Sequence, residues 1–169
     1  DNRRRLDSLA HLKAAVAAHP AVVLAAPPGA GKTTVVPLAL LDADWRGDGR
    51  ILVLEPRRLA ARAAAERMAA MLGQVPGETV GYRTRLQSRI GPRTRVEVLT
   101  EGVFTRMILD DPALDGVAAV LFDEFHERSL DADLGLALAR DSQAVLREDL
   151  KLVVMSATLD IAGVSRLLD

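Results

Sequence analysis

The stretch that decides the fold is residues 21–34, which read AVVLAAPPGAGKTT. The apolar run at 21–25 is closed by two prolines and a glycine, so it predicts a buried strand and then a turn. Residues 26–33 match the phosphate-loop pattern G-x-x-x-x-G-K-[ST], apart from Ala26 in place of the first glycine. A helix is predicted at 32–41. A strand before and a helix after the motif distinguish a nucleotide phosphate site from a chance Gly-Lys-Thr turn.

The residue types of this motif suit the phosphates of a nucleotide. Glycines let backbone N–H groups turn toward phosphate oxygens, and the N-terminus of a helix adds a favourable dipole. Lys32 can reach the terminal phosphates, and Thr33 offers a hydroxyl to Mg²⁺. The predicted nucleotide-binding residues of this stretch are Pro28, Gly29, Ala30, Gly31, Lys32, Thr33 and Thr34.

Strand-like and helix-like segments alternate through the rest of the chain. Helices are predicted around residues 6–16 and at 59–72, 102–109 and 133–146, and strands at 51–54, 79–83, 95–99, 117–122 and 151–155. The strands are apolar throughout, which is typical of parallel strands buried on both faces. The pattern therefore predicts one α/β domain over residues 1–169, with three layers (α/β/α) around a mostly parallel central sheet.

A second group of polar residues follows the strand predicted at 117–122. In open α/β sheets, ligands bind where strands end, and Asp123 and Glu124 stand at such an end. We predict that Asp123 holds a Mg²⁺ already bound by Thr33 and the phosphates. Glu124 can orient or deprotonate an attacking water. His126 has no Ser or Asp in a triad pattern, so a structural role stays open for it.

Two hydroxyl residues, Ser156 and Thr158, follow the last predicted strand. They can hydrogen-bond the acidic motif, or they can cap a helix that begins near Asp160. The residue types alone leave both interpretations open.

The composition is that of an ordinary globular chain and excludes several classes of protein. The 169 residues are 49% hydrophobic and 27% charged, which suffices for one domain with a sizeable core. Aromatic residues make up only 3%, so base stacking is not an obvious way to hold nucleic acid. The chain has no cysteine, which excludes disulfides and agrees with the cytoplasm, our predicted location. No apolar run approaches the roughly 20 residues of a membrane helix, so we expect no membrane partner.

The formal net charge of −1 conceals an uneven arrangement of charges. Residues 1–49 hold 6 basic and 5 acidic side chains, residues 50–106 hold 11 and 5, and residues 107–169 hold 5 and 13. We name the second segment the basic block and the third the acidic block. Five arginines of the basic block lie within 83–95 with no acid among them, which favours contact with a nucleic-acid backbone.

Five short motifs occur in an order that resembles the superfamily 2 helicases, whose motifs I, Ia, Ib, II and III they match. They are Gly31-Lys32-Thr33, Pro56-Arg57-Arg58, Thr100-Glu101-Gly102, Asp123-Glu124-Phe125-His126 and Ser156-Ala157-Thr158. The DEAH-box group is most similar, with phenylalanine in place of its alanine, and residues 123–130 resemble the bacterial HrpB-type ATP-dependent RNA helicases. The resemblance covers about residues 22–159. It implies a RecA-like P-loop NTPase domain that couples Mg²⁺-dependent ATP hydrolysis to movement on, or unwinding of, single-stranded RNA.

The resemblance also implies a role for each matching residue. The implied catalytic residues are Lys32, Asp123, Glu124 and His126, with Glu124 as the base and Asp123 holding the metal through water. The residues implied to couple hydrolysis to movement are His126, Ser156 and Thr158. Those implied to face the nucleic-acid backbone are Arg57, Arg58, Thr100 and Arg85, the last in a hook-like hairpin. Arg67 matches an arginine that stacks on adenine, and a solvated helix face is the alternative for it.

The same family completes its hydrolysis site with a second RecA-like domain that carries an arginine finger. The sequence ends at Asp169, just after motif III, so we expect the first of two such domains, with the second as its partner in the same polypeptide. An arginine finger contributes about 10³–10⁵ in rate. The isolated chain is therefore expected to bind nucleotide but to hydrolyse it poorly.

Two other functions stay open on the sequence alone. A P-loop switch or remodelling module would use its nucleotide state to act on a protein partner, and a DNA helicase domain would act on DNA instead of RNA. The arginines of motif Ia and of residues 83–95 favour a nucleic-acid function, because a switch has no need of them.

Overall fold

The computed structural model describes residues 2–25, 31–157, 163, 166 and 168, with side chains from residue 8 onward. The predicted site residues Pro28, Gly29, Ala30 and Thr158, and the helix start predicted near Asp160, lie outside this part of the chain. The helices are α1 (Asn2–Ala18), α2 (Lys32–Ala39), α3 (Arg58–Met71), α4 (Glu101–Asp110) and α5 (Leu130–Val145). The strands are β1 (Ala21–Ala25), β2 (Arg50–Glu55), β3 (Val80–Arg83), β4 (Ser88–Arg89), β5 (Val96–Thr100), β6 (Val117–Phe122) and β7 (Lys151–Ser156). Within the described residues, no helix is long and apolar enough to cross a membrane.

All seven strands form one sheet in the order β1-β7-β6-β2-β5-β3-β4. Each neighbouring pair is parallel except β3 and β4, which form an antiparallel hairpin. The predicted mostly parallel sheet is confirmed. Because six strands run the same way, their carboxyl ends lie along one edge of the sheet, which we name the carboxyl edge.

Hydrophobic cores on both faces of the sheet explain the uninterrupted apolar strands. In β2, Ile51 and Val53 face the core that contains residues of α1, α2 and α3. Leu52 and Leu54 face the opposite core, which contains residues of α4 and α5. The side chains of all four are at most 1% exposed. The three-layer α/β/α architecture is confirmed.

Two elements differ from the predictions. Helix α5 begins at Leu130, three residues before the predicted start, because the Ser129 side chain accepts a hydrogen bond from the Ala132 N–H and caps it. The short strand β4 lies within residues 83–95, the arginine-rich segment for which no strand beyond residue 83 was predicted before residue 95. Its close pairing with β3 requires Gly81, where an added Cβ would collide with the carbonyl oxygen of Arg89.

Candidate functional site

The carboxyl edge of the sheet brings the predicted motifs together. Ser156 at the end of β7 pairs with Ala25 of β1, which leads into the phosphate loop. The neighbouring strands β6 and β2 lead into the segments at Asp123 and Arg57. Thr100, at the end of β5, pairs with the last residue of β2. The predicted nucleotide segments therefore occupy one half of this edge, and the predicted nucleic-acid segments occupy the other.

A short hydrogen bond joins the phosphate loop to the acidic motif. The Thr33 hydroxyl donates to Oδ2 of Asp123 at 2.7 Å, and the Asp123 side chain is buried. Gly31 precedes α2 in the left-handed conformation at φ 71°, so Lys32 and Thr33 form the first helical turn. Thr34 is buried, and its hydroxyl donates to the Gly31 carbonyl, so its side chain stabilises the first turn of α2. A threonine hydroxyl beside a carboxylate is a set of hard oxygen donors that suits Mg²⁺.

The acidic motif lies on a strained turn with a buried anchor. Glu124 and Arg128 both have left-handed backbone conformations, with φ of 50° and 40°, and they flank the 3₁₀ turn Phe125–Glu127. The Phe125 ring is buried and meets the Phe122 ring edge-to-face at a centroid distance of 6.3 Å. Non-glycine residues in this conformation persist only where the surroundings enforce it, and they are frequent at functional sites. The anchor therefore fixes the backbone position from which the Glu124 side chain projects.

Arg57 contacts this turn from motif Ia. Its guanidinium lies 2.9 Å from Oε2 of Glu127 and 3.3 Å from Oε2 of Glu124. Burial raises the pKa of Glu124, the charges of Asp123 and Glu127 raise it further, and the Arg57 charge lowers it. The resemblance placed Arg57 on the nucleic-acid backbone, whereas in the structure it is paired with two carboxylates. Its contact with nucleic acid stays a prediction.

A second hydrogen bond connects motifs II and III. The backbone N–H of Ala157 donates to Nδ1 of His126 at 3.0 Å. Ser156, which precedes it, is buried at the end of β7. His126 thus acts as an acceptor between the two motifs, which supports the predicted coupling role without testing it. The same hydrogen bond is also what a purely structural role of His126 would require, so both roles are compatible with it.

Of the other predicted nucleic-acid residues, Arg58 lines a groove of about 290 Å³ between α3 and the β3–β4 hairpin. The groove is lined by Arg58, Leu59, Arg62, Thr84, Leu86 and Gln87. Arg85 is exposed at the tip of the hairpin, and the hydroxyl of Thr84 donates to the Gln87 carbonyl to close that tip. Thr100 is half-buried at the start of α4. Arg67 is exposed on α3, so the structure does not decide between a nucleotide contact and a solvated face.

Comparison with known proteins agrees with this arrangement. The pattern of the DEAD/DEAH box helicase family matches residues 9–167. The chain belongs to the DEAD/DEAH box helicase family. It is 59% identical over 152 residues to the ATP-dependent RNA helicase HrpB of Escherichia coli, which covers 90% of this chain and 19% of that protein. It is 41% identical over 150 residues to the DExH-box ATP-dependent RNA helicase DExH3 of Arabidopsis thaliana, covering 86% of this chain and 12% of that protein.

Solved structures show the same fold as this helicase domain. A crystal structure of the Escherichia coli DEAH/RHA helicase HrpB superposes with a TM-score of 0.90 at 56% identity, covering 95% of this chain and 20% of that one. A crystal structure of the Escherichia coli DExH-box NTPase HrpB superposes with a TM-score of 0.88 at 57% identity, covering 94% and 19%. The predicted RecA-like P-loop fold is therefore confirmed. The chain spans about a fifth of the length of these HrpB proteins.

The helicase domain has one polar residue at its carboxyl edge that the sequence analysis missed. Glu55 ends β2 and is 2% exposed, and no donor among the described residues reaches its Oε1. Burial, a hydrogen bond with Asp123 and the Asp123 charge together raise the pKa of Glu55 to about 10. Two carboxyl groups that are hydrogen-bonded in a buried site, such as Glu55 and Asp123, share a proton because both cannot be charged there. Glu55 is therefore a neutral donor to Asp123 at neutral pH.

Glu127 is the second residue of the helicase site whose role the sequence did not indicate. A signal was present for both missed residues. Glu55 is a charged residue at the end of an otherwise apolar strand, in the same position as Asp123 on the next strand. Glu127 is an acidic residue only three positions after Glu124, close enough to share a cationic partner with it.

Proposed function

We propose that this chain is the first RecA-like ATPase domain of a cytoplasmic ATP-dependent RNA helicase. In this proposal it uses Mg-ATP hydrolysis to move on, or unwind, single-stranded RNA, together with a second RecA-like domain of the same polypeptide. The observation that carries the proposal is the 2.7 Å hydrogen bond between Thr33 and Asp123. It joins the phosphate loop to the acidic motif at the sheet edge that also holds motifs Ia and Ib.

The residues of the nucleotide half have distinct tasks. Lys32 binds the terminal phosphates, and the oxygens of Thr33 and Asp123 hold Mg²⁺, Asp123 through water. When bound, the metal neutralises charge on the phosphate oxygens. Glu124 takes a proton from the attacking water, and the buried anchor fixes the backbone from which its side chain reaches that water. Glu55 donates a hydrogen bond to Asp123, and the other lone pairs of Asp123 would be free to help hold the metal.

The residues of the other half are proposed to bind RNA and to transmit hydrolysis. Arg58, Arg85 and Thr100 contact the sugar–phosphate backbone, a kind of contact that is largely independent of sequence. His126, Ser156 and Thr158 couple the nucleotide state to movement, and the hydrogen bond between His126 and Ala157 supports this assignment. Arg67 is assigned to the adenine base on the family resemblance alone.

Two alternatives are less well supported. The relatives described above are named ATP-dependent RNA helicases, which favours that function over a protein-directed switch and over a DNA helicase. The switch hypothesis also does not explain the groove lined by Arg58 or the exposed Arg85 at the hairpin tip.

ATP binding and hydrolysis test the nucleotide half of the proposal. The isolated 169-residue chain is expected to bind Mg-ATP, to lose that binding on addition of EDTA or in Lys32→Ala, and to hydrolyse ATP poorly. Strong hydrolysis by the isolated chain that Lys32→Ala abolishes would contradict the need for a second domain.

Nucleic-acid stimulation tests the other half. In the complete polypeptide, ATP hydrolysis should increase with oligouridylate RNA, and RNA affinity should fall steeply with salt because backbone contacts release counterions. Equal stimulation by oligodeoxythymidylate would favour the DNA alternative. Hydrolysis that no nucleic acid changes would favour the switch.

A further inference from the structure

Arg57 lies at the boundary between the two halves of the carboxyl edge. It follows β2, whose neighbour on one side is β6 with the acidic motif and on the other is β5 with Thr100. Arg57 also belongs to the basic block, whereas its partners Glu124 and Glu127 belong to the acidic block. This single guanidinium therefore connects the predicted RNA half to the predicted catalytic base.

The ion pair spans two carboxylates at once. Nη1 of Arg57 donates to both oxygens of Glu127, at 2.9 and 3.1 Å, and Nη2 donates to Oε2 of Glu124 at 3.3 Å. The short 3₁₀ turn Phe125–Glu127 makes this possible, because Glu124 immediately precedes the turn and Glu127 ends it, and both carboxylates reach the same guanidinium. One oxygen of the proposed base is thus occupied by a side chain from the RNA half.

The contact is also accessible to a competing anion. The Arg57 side chain is 59% exposed, and those of Glu124 and Glu127 are 35% and 36% exposed. Exposed ion pairs of this kind contribute little to stability, with typical values of about 0.2–1 kcal/mol. A phosphate group binds arginine through two parallel hydrogen bonds and can replace a carboxylate partner.

We propose that Arg57 is a positioning residue that restrains Glu124 until RNA binds. Without RNA, the ion pair holds the Glu124 carboxylate away from the attacking water. When RNA is bound, a backbone phosphate takes the Arg57 guanidinium and releases Glu124 to act as the base. This inference rests on the proposed function, and it gives a physical route by which RNA binding increases ATP hydrolysis.

Substitution of Arg57 separates this role from simple RNA binding. In the complete polypeptide, Arg57→Ala should raise ATP hydrolysis without RNA up to about five-fold, the change that an exposed ion pair allows. The same variant should need more oligouridylate for half-maximal stimulation, and its maximal stimulation should be smaller. An arginine that only binds RNA would leave hydrolysis without RNA unchanged, and an arginine that only supports the fold would lower it.

Two further variants divide the contact into its parts. Arg57→Lys keeps the charge but cannot span two carboxylates, so it should raise hydrolysis without RNA and still respond to oligouridylate. Glu127→Gln weakens the stronger half of the pair, so half-maximal stimulation should need less RNA. The matched control is Lys13→Ala, which removes an α1 lysine that pairs with the exposed Asp42 at 2.9 Å and should leave hydrolysis without RNA unchanged.

The outcomes distinguish this inference from the function on which it rests. If oligouridylate does not stimulate the unsubstituted polypeptide, the proposed function fails. If it does, and Arg57→Ala and Arg57→Lys both leave hydrolysis without RNA unchanged or lower, then Arg57 does not restrain Glu124. A binding measurement gives a check that needs no catalysis: the salt dependence of oligouridylate affinity should lose about one ion equivalent in Arg57→Ala.

Discussion

The two ends of the sheet use their polar side chains in opposite ways. At the end where the strands begin, polar side chains bond to the backbone: Arg147 donates to the carbonyls of Leu114 and Val117, and Gln143 donates to those of Pro20 and Leu150. At the carboxyl edge, the contacts that the acidic motif makes with the phosphate loop and with motif Ia join one side chain to another. Thr33 meets Asp123 there, and Arg57 meets Glu124.

This contrast separates groups that hold the fold from groups that are left for ligands. Side-chain bonds to buried carbonyls satisfy groups that would otherwise lose their hydrogen bonds to water. At the carboxyl edge, by contrast, Glu55 has an oxygen without a partner among the described residues, and Glu124 has a strained backbone. Strain and unsatisfied polar groups persist where the rest of the fold stabilises them, so the carboxyl edge depends on a folded domain, to whose stability the opposite end contributes.

The largest expected effect is a loss of ATP hydrolysis on substitution at the carboxyl edge, in a protein that still folds. In the complete polypeptide, Glu124→Gln should lower ATP hydrolysis about 10²–10⁴-fold, because a general base contributes that much. ATP binding and the free energy of unfolding should stay close to those of the unsubstituted protein. Steady-state hydrolysis, nucleotide titration and urea unfolding measure the three quantities. A loss of folding in Glu124→Gln would show that this edge also stabilises the domain.

The largest expected effect on stability comes from the opposite end. Arg147 is 19% exposed, and it donates hydrogen bonds of 2.7–3.0 Å to the carbonyls of Ala113, Leu114 and Val117. Leu114 is itself left-handed at φ 47°, so the arginine secures a strained turn. Arg147→Ala should lower the free energy of unfolding by about 3 kcal/mol, since bonds from a charged donor contribute about 1.5–3 kcal/mol each and are not additive.

Urea unfolding and Mg-ATP titration of the isolated chain check this expectation. Arg147→Lys is the comparison, because a lysine keeps the charge but cannot reach three carbonyls in one plane and should recover only part of the loss. ATP affinity should be unchanged wherever the chain is folded. Weaker ATP binding in the folded variant would mean that the two ends are not independent.

The sequence predicted most of the fold and the general location of the site. The apolar runs at β1, β2, β6 and β7 predicted buried parallel strands, because only strands covered on both faces are apolar throughout. The start of α5 was wrong although its signal was present: Ser129 is a good helix cap, and Asp131 is favourable in the first turn.

Contacts between side chains from distant segments could not be predicted. The pairing of Arg57 with Glu124 and Glu127 depends on the 3₁₀ turn, and that turn depends on where Phe125 packs. The raised pKa of Glu55 depends first on its burial and then on the hydrogen bond and charge of Asp123 beside it. Pattern and spacing fix which strand a residue ends, but they do not fix which side chains then meet across the edge.

A pH-dependent effect on stability, smaller per pH unit than the loss in Arg147→Ala, should appear at the carboxyl edge. The pKa of Glu55 is raised to about 10, above its ordinary value of 4.5, so the folded chain binds a proton that the unfolded chain releases. Its contribution to stability is therefore complete below about pH 4.5 and is lost as pH rises toward 10. Between these limits the loss from this group is at most about 1.4 kcal/mol per pH unit.

Glu55→Gln should remove this dependence, because glutamine keeps a donor for Asp123 and does not titrate. Urea unfolding of the isolated chain in EDTA, across about pH 5 to 9, should give a flatter profile for Glu55→Gln than for the unsubstituted chain. The exposed Glu148 provides the control, and Glu148→Gln should keep the original profile. Identical profiles for Glu55→Gln and the unsubstituted chain would show that Glu55 is not neutral.

The smallest expected effect on the free energy of unfolding is that of Ser129→Ala. Ser129 lies at the carboxyl edge, but its side chain bonds to the backbone, as Arg147 and Gln143 do at the opposite end. Its oxygen accepts from the Ala132 N–H at 2.9 Å and its hydroxyl donates to Oε1 of the buried Glu101 at 2.7 Å. Ser129→Ala should lower the free energy of unfolding by about 1 kcal/mol through the lost cap. It should also raise the pKa of Glu101 further, because burial already raises that pKa and the Ser129 hydrogen bond opposes it.

Thermal unfolding of Ser129→Ala and Ser129→Thr measures this effect, and threonine should retain most of the stability because its hydroxyl can still cap the helix. RNA-stimulated hydrolysis in the complete polypeptide gives the second readout. If Ser129→Ala lowers stability but keeps the RNA concentration for half-maximal stimulation, the carboxyl edge contains a structural bond of its own. If that RNA concentration rises while stability is unchanged, the hydrogen bond from Ser129 to Glu101 serves RNA binding. In that case even Ser129, which bonds to the backbone, serves ligand binding, as the other polar residues of the carboxyl edge do.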